Sequence, residues 1–359
     1  MKSHKIAVFF AGILLATTAL ADVLQLKEGH PETYVVKKGD TLWDISGVFL
    51  QKPWLWPRLW QINPQVKDPH WIYPGDILNL VWVDGEPRLV HKKVIRLSPS
   101  IKKVVKEDPI PSLKLSAVAA FLRSDHIFSG EHDVDSMPYV LGNNQNDRGL
   151  MEEQHIYVKG NLPLGGQYGI YHPGVVYKDR NSGEELGRQG VLAGIAVAVA
   201  SHPDDVTEVA LIKNMREVMQ GDRVMAIPAN ENLDITYQMQ PSALKSDGYI
   251  IDFPGTSSSV SGKYDVILLS KGARDGLKNG DVITIKRPGV ALTGHDADTI
   301  SYRQNSNMGQ RVLDAESRRL PADVIGQAMT FKVYDKVAMA LVLRANDIVH
   351  KDYTVSNPD

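Results

Sequence analysis

The sequence predicts an α+β protein in which a small βααβ module is followed by two tandem β-rich domains, each barrel-like or sandwich-like. Three observations support this fold class. Residues 34–80 carry two short helical patterns between two β-prone segments. From about residue 151 onward, strand-like segments alternate with glycine-rich turns and no long helical pattern occurs. Within this second part, two stretches resemble each other, which indicates a duplicated unit.

The composition sets the size and class of the protein. The chain has 359 residues, of which 43% are hydrophobic and 23% charged, so there is room for two or three globular domains. The net charge of −2 favours no class of partner, and we do not expect nucleic-acid binding. Because the chain has no cysteine, an N-terminal lipid-modified cysteine, thiolate catalysis and cysteine-ligated zinc are excluded.

The N-terminus has the pattern of a secretory signal, predicted here as residues 1–21. Lys2 and Lys5 precede an apolar run over 6–20, and Ala19 and Ala21 supply the small residues that a signal peptidase reads. A retained membrane anchor is the alternative, but the run is shorter than the roughly 20 apolar residues that a spanning helix needs. We therefore expect cleavage after Ala21, a periplasmic protein and no remaining transmembrane segment.

Residues 34–80 form the most informative stretch. The segment 34–36 is β-prone, Gly39 and Asp40 make a turn, and Asp40 or Thr41 can cap a helix that starts at once. Pro53 ends this helix or starts the next one, and the segment 74–76 turns into a final strand over 77–80. The predicted buried positions of the two helices are Leu42, Ile45, Val48 and Phe49, then Leu55, Leu59 and Ile62.

These residues match a known pattern in three separate blocks, and in the same order. The stretch therefore resembles the LysM family over about one eighth of the chain. The whole layout also resembles proteobacterial LysM-domain envelope proteins of uncharacterised role. The matching residues are Tyr34, Val36, Gly39, Asp40, Thr41, Leu42 and Ile45, then Leu59 and Asn63, then Ile72, Pro74, Gly75, Asp76 and Leu78.

The resemblance implies a βααβ fold that binds N-acetylglucosamine polymers, which in bacteria usually means peptidoglycan. It also implies a shallow groove between the first strand–helix loop and the loop before the last strand. Backbone groups there can form hydrogen bonds with an acetamido group, and an apolar or aromatic surface can pack against the flat face of a sugar ring. The candidate glycan-binding residues are Gly39, Asp40, Thr41, Leu42, Asn63, Pro64, Trp71, Ile72, Tyr73 and Pro74.

All six tryptophans of the protein lie between residues 43 and 82. We expect Trp43 and Trp60 to lie in the core, where large aromatic side chains usually pack. For Trp71, which has His70 and Tyr73 nearby, a ligand-facing position and a core position remain equally open.

The segment 81–111 is predicted to be a hairpin followed by a basic linker. Asp84-Gly85 between two extended segments is a hairpin signal. From residue 88 to 106 there are seven Lys or Arg and no acidic residue, which suits contact with an anionic envelope polymer or lipid headgroups. We favour the alternative of a solvated linker or exposed strand face. Residues 112–150 are predicted to form a short helix and a loop.

The duplication sets the remaining predicted boundaries. Residues 159–174 resemble 271–289, and 210–222 resemble 340–352 with a constant offset of 130, which aligns Val218 with Ile348. We predict one β-rich repeat over 151–240, a linker over 241–263 and a second repeat over 264–359. The polar stretch 291–319 is expected to be a long loop of the second repeat.

No catalytic motif stands out, and we expect a protein that is not an enzyme and uses no metal or cofactor. His126 with Glu131, His132 and Asp133 matches no familiar metal-ligand spacing. Near Gly255 the second glycine of a nucleophile elbow is missing. We predict a scaffold that binds peptidoglycan through the module and presents the β-rich domains to a partner such as another envelope protein. The alternatives are a wall-remodelling hydrolase or transpeptidase-like enzyme with its site in the β region, and an exopolysaccharide binder.

Overall fold

The computed structural model describes residues 24–60, 72–91, 113, 125–129, 134–145, 147, 149–227, 239–255, 258–293, 301–302 and 318–358. The chain divides into two compact units, Met1–Leu113 and Lys114–Asp359. The predicted signal segment, the predicted helix after residue 112 and most of the basic stretch lie outside the described residues. Within these ranges, no helix has the length and apolar character needed to cross a membrane.

In the first unit, a three-stranded antiparallel sheet packs against two helices. The strands are β1 (Thr33–Val35), β2 (Ile77–Val83) and β3 (Glu86–His91), and β2 lies between the other two. The helices are α1 (Leu42–Phe49) and α2 (Trp56–Leu59), with a 3-10 turn at Pro53–Leu55 before α2. The predicted βααβ order is confirmed, and β3 adds a third strand to it.

The helical spacing of the apolar residues in α1 produces the buried face that it predicts. Leu42, Ile45 and Phe49 are fully buried, and Val48 packs partly against them. Thr41 is the N-cap: its Oγ1 accepts a hydrogen bond from the Asp44 backbone N–H at 3.1 Å. Together with Leu59, Leu78 and Leu89, these side chains form the core of the module.

The packed region of the module also extends before the predicted start at residue 34. Leu26 forms a β-bridge with Leu50, next to the end of α1. Two backbone hydrogen bonds hold this contact, from Lys27 N to Phe49 O at 2.8 Å and from Gln51 N to Gln25 O at 3.0 Å. Leu24 is buried in the module core, and Leu26 packs partly against that core.

In the described part of the second unit, the regular elements are β-strands apart from two short 3-10 helices, in line with the strand-rich pattern predicted from about residue 151 onward. Its strands are β4 (Asp125–Phe128), β5 (Tyr139–Gly142), β6 (His155–Lys159), β7 (Gln167–Lys178), β8 (Glu185–His202), β9 (Val206–Asn214), β10 (Arg223–Ala226), β11 (Gln240–Pro241), β12 (Gly248–Asp252), β13 (Val260–Ser261), β14 (Val266–Leu269), β15 (Asp281–Arg287), β16 (Ala291–Thr293), β17 (Ser301–Tyr302), β18 (Arg318–Arg319), β19 (Asp323–Val333), β20 (Ala338–Ala345), β21 (Val349–His350) and β22 (Thr354–Ser356).

Two closed six-stranded antiparallel barrels account for most of these strands. In the first barrel the hydrogen-bonded order is β5-β6-β9-β8-β7-β10, and β10 pairs back to β5. In the second the order is β12-β14-β20-β19-β15-β22, and β22 pairs back to β12. When the six strands of each barrel are ranked by their order in the chain, strands of the same rank occupy the same place in the two barrels. Both barrels lie within one compact unit, so their division into two domains stays a prediction.

The same local irregularity occurs at the same place in both barrels. The β7–β8 register shifts directly after the pair Ile170–Gly194, and the β15–β19 register shifts directly after Ile285–Gly326. A β-bulge bends the strand that carries it, so the shared bulge gives both barrels the same corner. Both isoleucines lie in their barrel cores.

The structure corrects the predicted repeat alignment by one residue. Val218 is buried in the first barrel, whereas Ile348 is 54% exposed and its neighbour Val349 is fully buried. The true offset over this region is therefore 131 rather than 130. Because successive side chains of a strand point to opposite faces, the predicted offset would have placed the core residues outside.

The stretch predicted to be a linker, 241–263, contains a strand of the second barrel. Ile250 of β12 is fully buried in that core, and β12 pairs with both β14 and β22. The first barrel likewise begins with β5, before the predicted boundary at residue 151. Of the predicted loop 291–319, the described parts form the small sheet β17-β16-β18.

Beyond the first barrel, strands β7 and β8 continue as a two-stranded hairpin, and we call its residues 177–185 the arm. Tyr177 Oη donates to Asp252 Oδ2 at 3.1 Å, and Arg274 makes a bidentate ion pair with Glu184 at 2.7 and 3.0 Å. Lys336 Nζ lies 2.9 Å from the same Glu184 carboxylate. The arm therefore fastens the first barrel to the second.

Candidate functional site

The first loop of the predicted groove is a tight turn closed by one carboxylate. The Asp40 N–H donates to Lys37 O at 3.2 Å, and Gly39 has φ +92°, as the third position of a type II turn requires. Asp40 Oδ2 accepts from Lys37 N at 2.8 Å and from Tyr34 Oη at 2.9 Å. Burial and the hydrogen bond to Asp40 raise the pKa of Tyr34 to about 12.

The second loop repeats this construction. The Asp76 N–H donates to Tyr73 O at 3.0 Å, and Gly75 has φ +93°. Asp76 Oδ2 accepts from Tyr73 N at 2.9 Å, while Oδ1 lies 3.1 Å from His91 Nε2 of β3. Pro74 has its φ preset for the second position of such a turn, so the sequence Tyr-Pro-Gly-Asp specifies this loop.

Backbone hydrogen bonds hold the two turns side by side. Val36 N donates to Asp76 O at 2.9 Å, and Gly75 N donates to Val36 O at 2.8 Å. These bonds continue the β1–β2 ladder, in which Val35 pairs with Ile77. The two loops that the resemblance predicts to flank a groove are therefore neighbours.

The predicted site residues divide into surface and buried groups. Gly39 is exposed, and Asp40, Tyr73 and Pro74 are half-buried, so all four present atoms at the surface. The other described candidates are buried, and their side chains build the loops from inside: Thr41, Leu42 and Ile72 are each 1% exposed or less. The remaining three candidates, Asn63, Pro64 and Trp71, lie outside the described residues.

Several residues near the paired turns were not among the predicted site residues. Gly75 is exposed and Asp76 half-buried, although the prediction ended at Pro74. Lys37 and Lys38 are exposed on the first turn. The repeated Gly-Asp dipeptide was the signal in the sequence that could have included Gly75 and Asp76, since both turns use it in the same way.

A Gly-Asp turn alone does not identify a sugar site, because the barrels contain it as well. In the first barrel, Asp222 Oδ2 accepts from Met219 N at 2.8 Å, and Gly221 has φ +87°. In the second, Asp281 Oδ2 accepts from Lys278 N at 2.8 Å. What distinguishes the module is that two such turns lie next to each other.

The tryptophans follow the prediction where they are described. Trp43 and Trp60 are buried, which confirms the expectation for both, and Trp54 is buried with them. Trp56 is half-buried and packs against the core. Trp82, near the far end of β2, is 64% exposed.

Arg88, the first residue of the predicted basic stretch, is held inside the module by its own contacts. Arg88 is buried, and its guanidinium donates to Arg58 O at 2.8 Å and contacts the Glu86 carboxylate. Arg58 Nη2 also contacts Glu86, at 2.7 Å. Glu86 thus joins β3 to α2 through two arginines, and Arg88 is not available to an anionic polymer.

Polar clusters in the barrels are small. In the first barrel, Glu208 accepts from His155 and His202 at 2.6 and 2.9 Å, and the buried Asp222 lies 2.8 Å from His172 Nδ1. Among the described residues, no group of three or more His, Asp or Glu side chains is placed to hold a metal. The His126 ring packs against Phe128 and Tyr334, and its three predicted companions lie outside the described residues.

Comparison with known proteins agrees with the geometry of the module. Residues 34–81 match the LysM domain family. The chain is also similar to the "Uncharacterized protein YqbP" of Bacillus subtilis (strain 168), with 40% identity over 60 residues, which is 14% of this chain and 27% of that protein. The chain thus spans about a quarter of that relative's length, and the wider likeness to proteobacterial proteins stays a prediction. Residues 34–81 of this chain are a LysM domain.

Proposed function

We propose that this protein binds peptidoglycan, or a related N-acetylglucosamine glycan, in the groove between its two Gly-Asp turns. The observation that carries the proposal is the pair of hydrogen bonds by which Val36 joins the second turn to the first. The turn residues Gly39, Asp40, Tyr73 and Pro74 present backbone groups and a half-exposed aromatic ring at one surface. Such a surface suits the acetamido groups and flat faces of a neutral sugar chain.

The proposal includes a non-catalytic role in the cell envelope. The module acts as the tether to the wall, and the barrels are the part presented to a partner, each as a domain of its own. The protein acts in the periplasm after export. A zymogram on purified wall material tests the non-catalytic part, since a clearing band at the mass of this chain would refute it.

A pair of aromatic substitutions tests the groove itself. Tyr73→Ala removes a half-exposed ring from the second turn, whereas Trp82→Ala removes a more exposed ring near the far end of β2. In a calorimetric titration with an N-acetylglucosamine pentamer, we expect Tyr73→Ala to weaken binding about tenfold, or about 1.4 kcal/mol. Trp82→Ala should leave the affinity unchanged, because Trp82 lies outside the paired turns.

The opposite pattern would contradict the location of the site. If Trp82→Ala weakened binding and Tyr73→Ala did not, the glycan would lie along the hairpin instead. Circular dichroism melts of both variants show whether each retains the fold, so that a loss of binding can be assigned to the missing ring.

A further inference from the structure

The first barrel has an open surface pocket of about 460 Å³, a size typical of small-ligand sites. One side is formed by residues 141–144, at the end of β5. The other side is formed by the turn between β8 and β9, through His202, Pro203 and Val206. Tyr157 of β6 also lines the pocket, so segments from four strands meet there.

The pairing register identifies the equivalent residues of the second barrel. Strand β6 pairs with β9 in the first barrel as β14 pairs with β20 in the second. The cross-strand pairs that face the barrel cores are Ile156–Val209 and Ile267–Ala340. The next pairs along the strands are Tyr157–Glu208 and Leu268–Met339. Because successive side chains of a strand face opposite sides, these two pairs occupy the same place on the outside of the two barrels.

The two outer walls differ in their chemistry. Leu268 and Met339 are fully buried, so this wall of the second barrel is apolar and closed. Tyr157 is half-buried and the Glu208 side chain is 20% exposed. The first barrel therefore presents a phenol and a carboxylate where its duplicate has hydrocarbon. Since the second barrel closes without them, the barrel fold itself does not require these polar groups.

Glu208 orients the imidazole of His202. Its carboxylate accepts from His202 Nε2 at 2.9 Å and from His155 Nδ1 at 2.6 Å. The hydrogen bond from His155, with the one from His202, lowers the pKa of Glu208, so this side chain is charged at neutral pH. Since Nε2 is the donor, the neutral His202 ring keeps Nδ1 as an acceptor. The ring also packs edge to face with Tyr157, at 5.6 Å between centroids.

Asn144 and Tyr157 add a second acceptor and a donor. Asn144 Nδ2 donates to Tyr157 Oη at 3.0 Å. Among the described residues, no acceptor takes the Tyr157 hydroxyl proton and no donor reaches Asn144 Oδ1. Leu141, Pro203 and Val206 provide the apolar part of the lining. The pocket thus combines an aromatic ring, apolar groups and hydrogen-bonding groups of both kinds.

The turn between β8 and β9 is held in place from its neighbours. Asp204 and Asp205 have φ of +62° and +54°, and a hairpin turn with two positive φ values matches the twist of its strands. Gly160 N donates to Asp205 O at 2.6 Å, and Asn161 Nδ2 donates to the Asp205 carboxylate at 2.8 Å. Lys159 Nζ donates to Asp204 O at 2.6 Å. A wall fixed in this way lowers the ordering cost of binding.

We propose that this pocket, around Asn144, Tyr157 and His202, binds an N-acetylated sugar residue of a glycan. Among the described residues that line it there is no Lys, Arg, Asp or Glu, so it suits a neutral ligand better than an ion. Sugar hydroxyls and an acetamido group donate and accept hydrogen bonds, as the pocket does. The flat C–H face of the sugar packs on the Tyr157 ring, and the acetamido methyl contacts the apolar side chains.

This site lies outside the LysM domain and goes beyond the proposed function, which places glycan binding between the two Gly-Asp turns. An open pocket that takes one sugar residue binds it with a dissociation constant in the millimolar range. We therefore expect it to add to the module's hold on a polymeric glycan without retaining the chain alone. The barrel site does not require the module site, so each can fail separately.

Nuclear magnetic resonance of the full chain, labelled with ¹³C at tyrosine Cζ, tests the proposal at this weak affinity. The signal of Tyr157 is assigned from its loss in Tyr157→Phe. We expect it to shift and saturate when an N-acetylglucosamine pentamer is added at millimolar concentration. The same shift should occur in Tyr73→Ala, because that substitution affects the module alone.

Two substitutions test the polar groups of the pocket. Asn144→Ala and His202→Ala each remove one acceptor, and each should raise the dissociation constant read from the Tyr157 shift about tenfold. Asn181→Ala is the matched control, because Asn181 is exposed on the arm of the same barrel. This control should titrate like the wild type.

Two results would overturn the proposal. The first is a wild-type Tyr157 signal that the pentamer leaves unchanged. The second is a dissociation constant that stays the same in Asn144→Ala and His202→Ala, since the sugar would then bind elsewhere. Failure of the module site has a different signature, because it changes the calorimetric comparison of Tyr73→Ala with Trp82→Ala and leaves the Tyr157 titration as it is.

Discussion

At the scale of single residues, Asp40 closes the first of the paired turns. Its carboxylate accepts two hydrogen bonds, from the Lys37 N–H and from the Tyr34 hydroxyl. Asp40→Ala removes both and leaves two donors without their acceptor. We expect it to lower the free energy of unfolding of the module by about 1–3 kcal/mol.

The same variant has a spectroscopic signature. Since the carboxylate contributes to the raised pKa of Tyr34, that pKa should fall below about 12 in Asp40→Ala. It should stay above 10, because burial is the larger cause. Tyrosine ¹³Cζ shifts followed against pH measure this directly, and an unchanged Tyr34 titration would contradict the assigned hydrogen bond.

Gly75 gives a second test at this scale. Its φ of +93° disfavours any side chain, although the space where a Cβ would lie is empty. Gly75→Ala should therefore destabilise the module through backbone strain alone, by about 1–2 kcal/mol. Gly75→Asn should cost less, because asparagine adopts positive φ more readily. Equal melting temperatures for both variants and the wild type would refute the turn geometry.

The site residues show how far sequence reasoning reaches at this scale. The pattern predicted a groove between two loops, and in the structure Val36 joins these loops by two backbone hydrogen bonds. It did not separate residues that build a loop from residues that face the solvent. Leu42 and Ile72 matched the pattern as well as Gly39 did, yet both are buried. That distinction depends on packing between segments distant in the chain.

At the scale of elements, the arm carries two carboxylates whose pKa values are lowered in the folded state. Hydrogen bonds from the Ser182 backbone N–H and neighbouring groups lower the pKa of Asp179 to about 2. The hydrogen bonds and charges of Arg274 and Lys336 lower the pKa of Glu184 to about 2. Both carboxylates bind protons less readily in the folded state than in the unfolded chain.

The sign of the pH effect follows from these shifts. A lowered carboxyl pKa stabilises the folded state above its ordinary pKa of about 4, and this contribution is lost as pH falls toward 2. We expect amide exchange in the arm to be constant from neutral pH to about 4.5, after correction for intrinsic rates. Its protection should then fall before that of the barrel strands.

Loss of protection in the barrels and the arm at the same pH would contradict a separate acid-sensitive contact. Glu184→Gln is the informative variant, because it removes the charge that pairs with Arg274 and Lys336. The arm of this variant should already be less protected at neutral pH, and the remaining acid response should come from Asp179.

Elements were predicted best where their signal is local. The helix α1, the Asp84-Gly85 hairpin and the glycine-rich strands all follow from patterns within a few residues. The linker predicted over 241–263 contains strand β12, and the local sequence does not indicate this strand because its partners, β14 and β22, are brought to it only by barrel closure. The one-residue error in the repeat alignment has a similar origin, since only cross-strand pairing fixes which face is the core.

At the scale of the whole molecule, the chain combines a LysM domain with a duplicated barrel. The duplication was visible in the sequence, but the closed six-stranded form was not, because closure is set by pairings such as β10 with β5. The module is the part for which sequence pattern, family match and geometry all agree. The tethering role is therefore the central claim of the proposed function.

A pulldown with insoluble peptidoglycan tests that claim most directly. The full chain is compared with a chain that lacks residues 34–80 and with the Tyr73→Ala variant, all in the absence of any other envelope component. We predict that the full chain sediments with the wall material, that the deletion stays in the supernatant and that the variant is retained less. Retention of the deleted chain at the level of the full chain would contradict the account, because the binding site would then lie outside the paired turns.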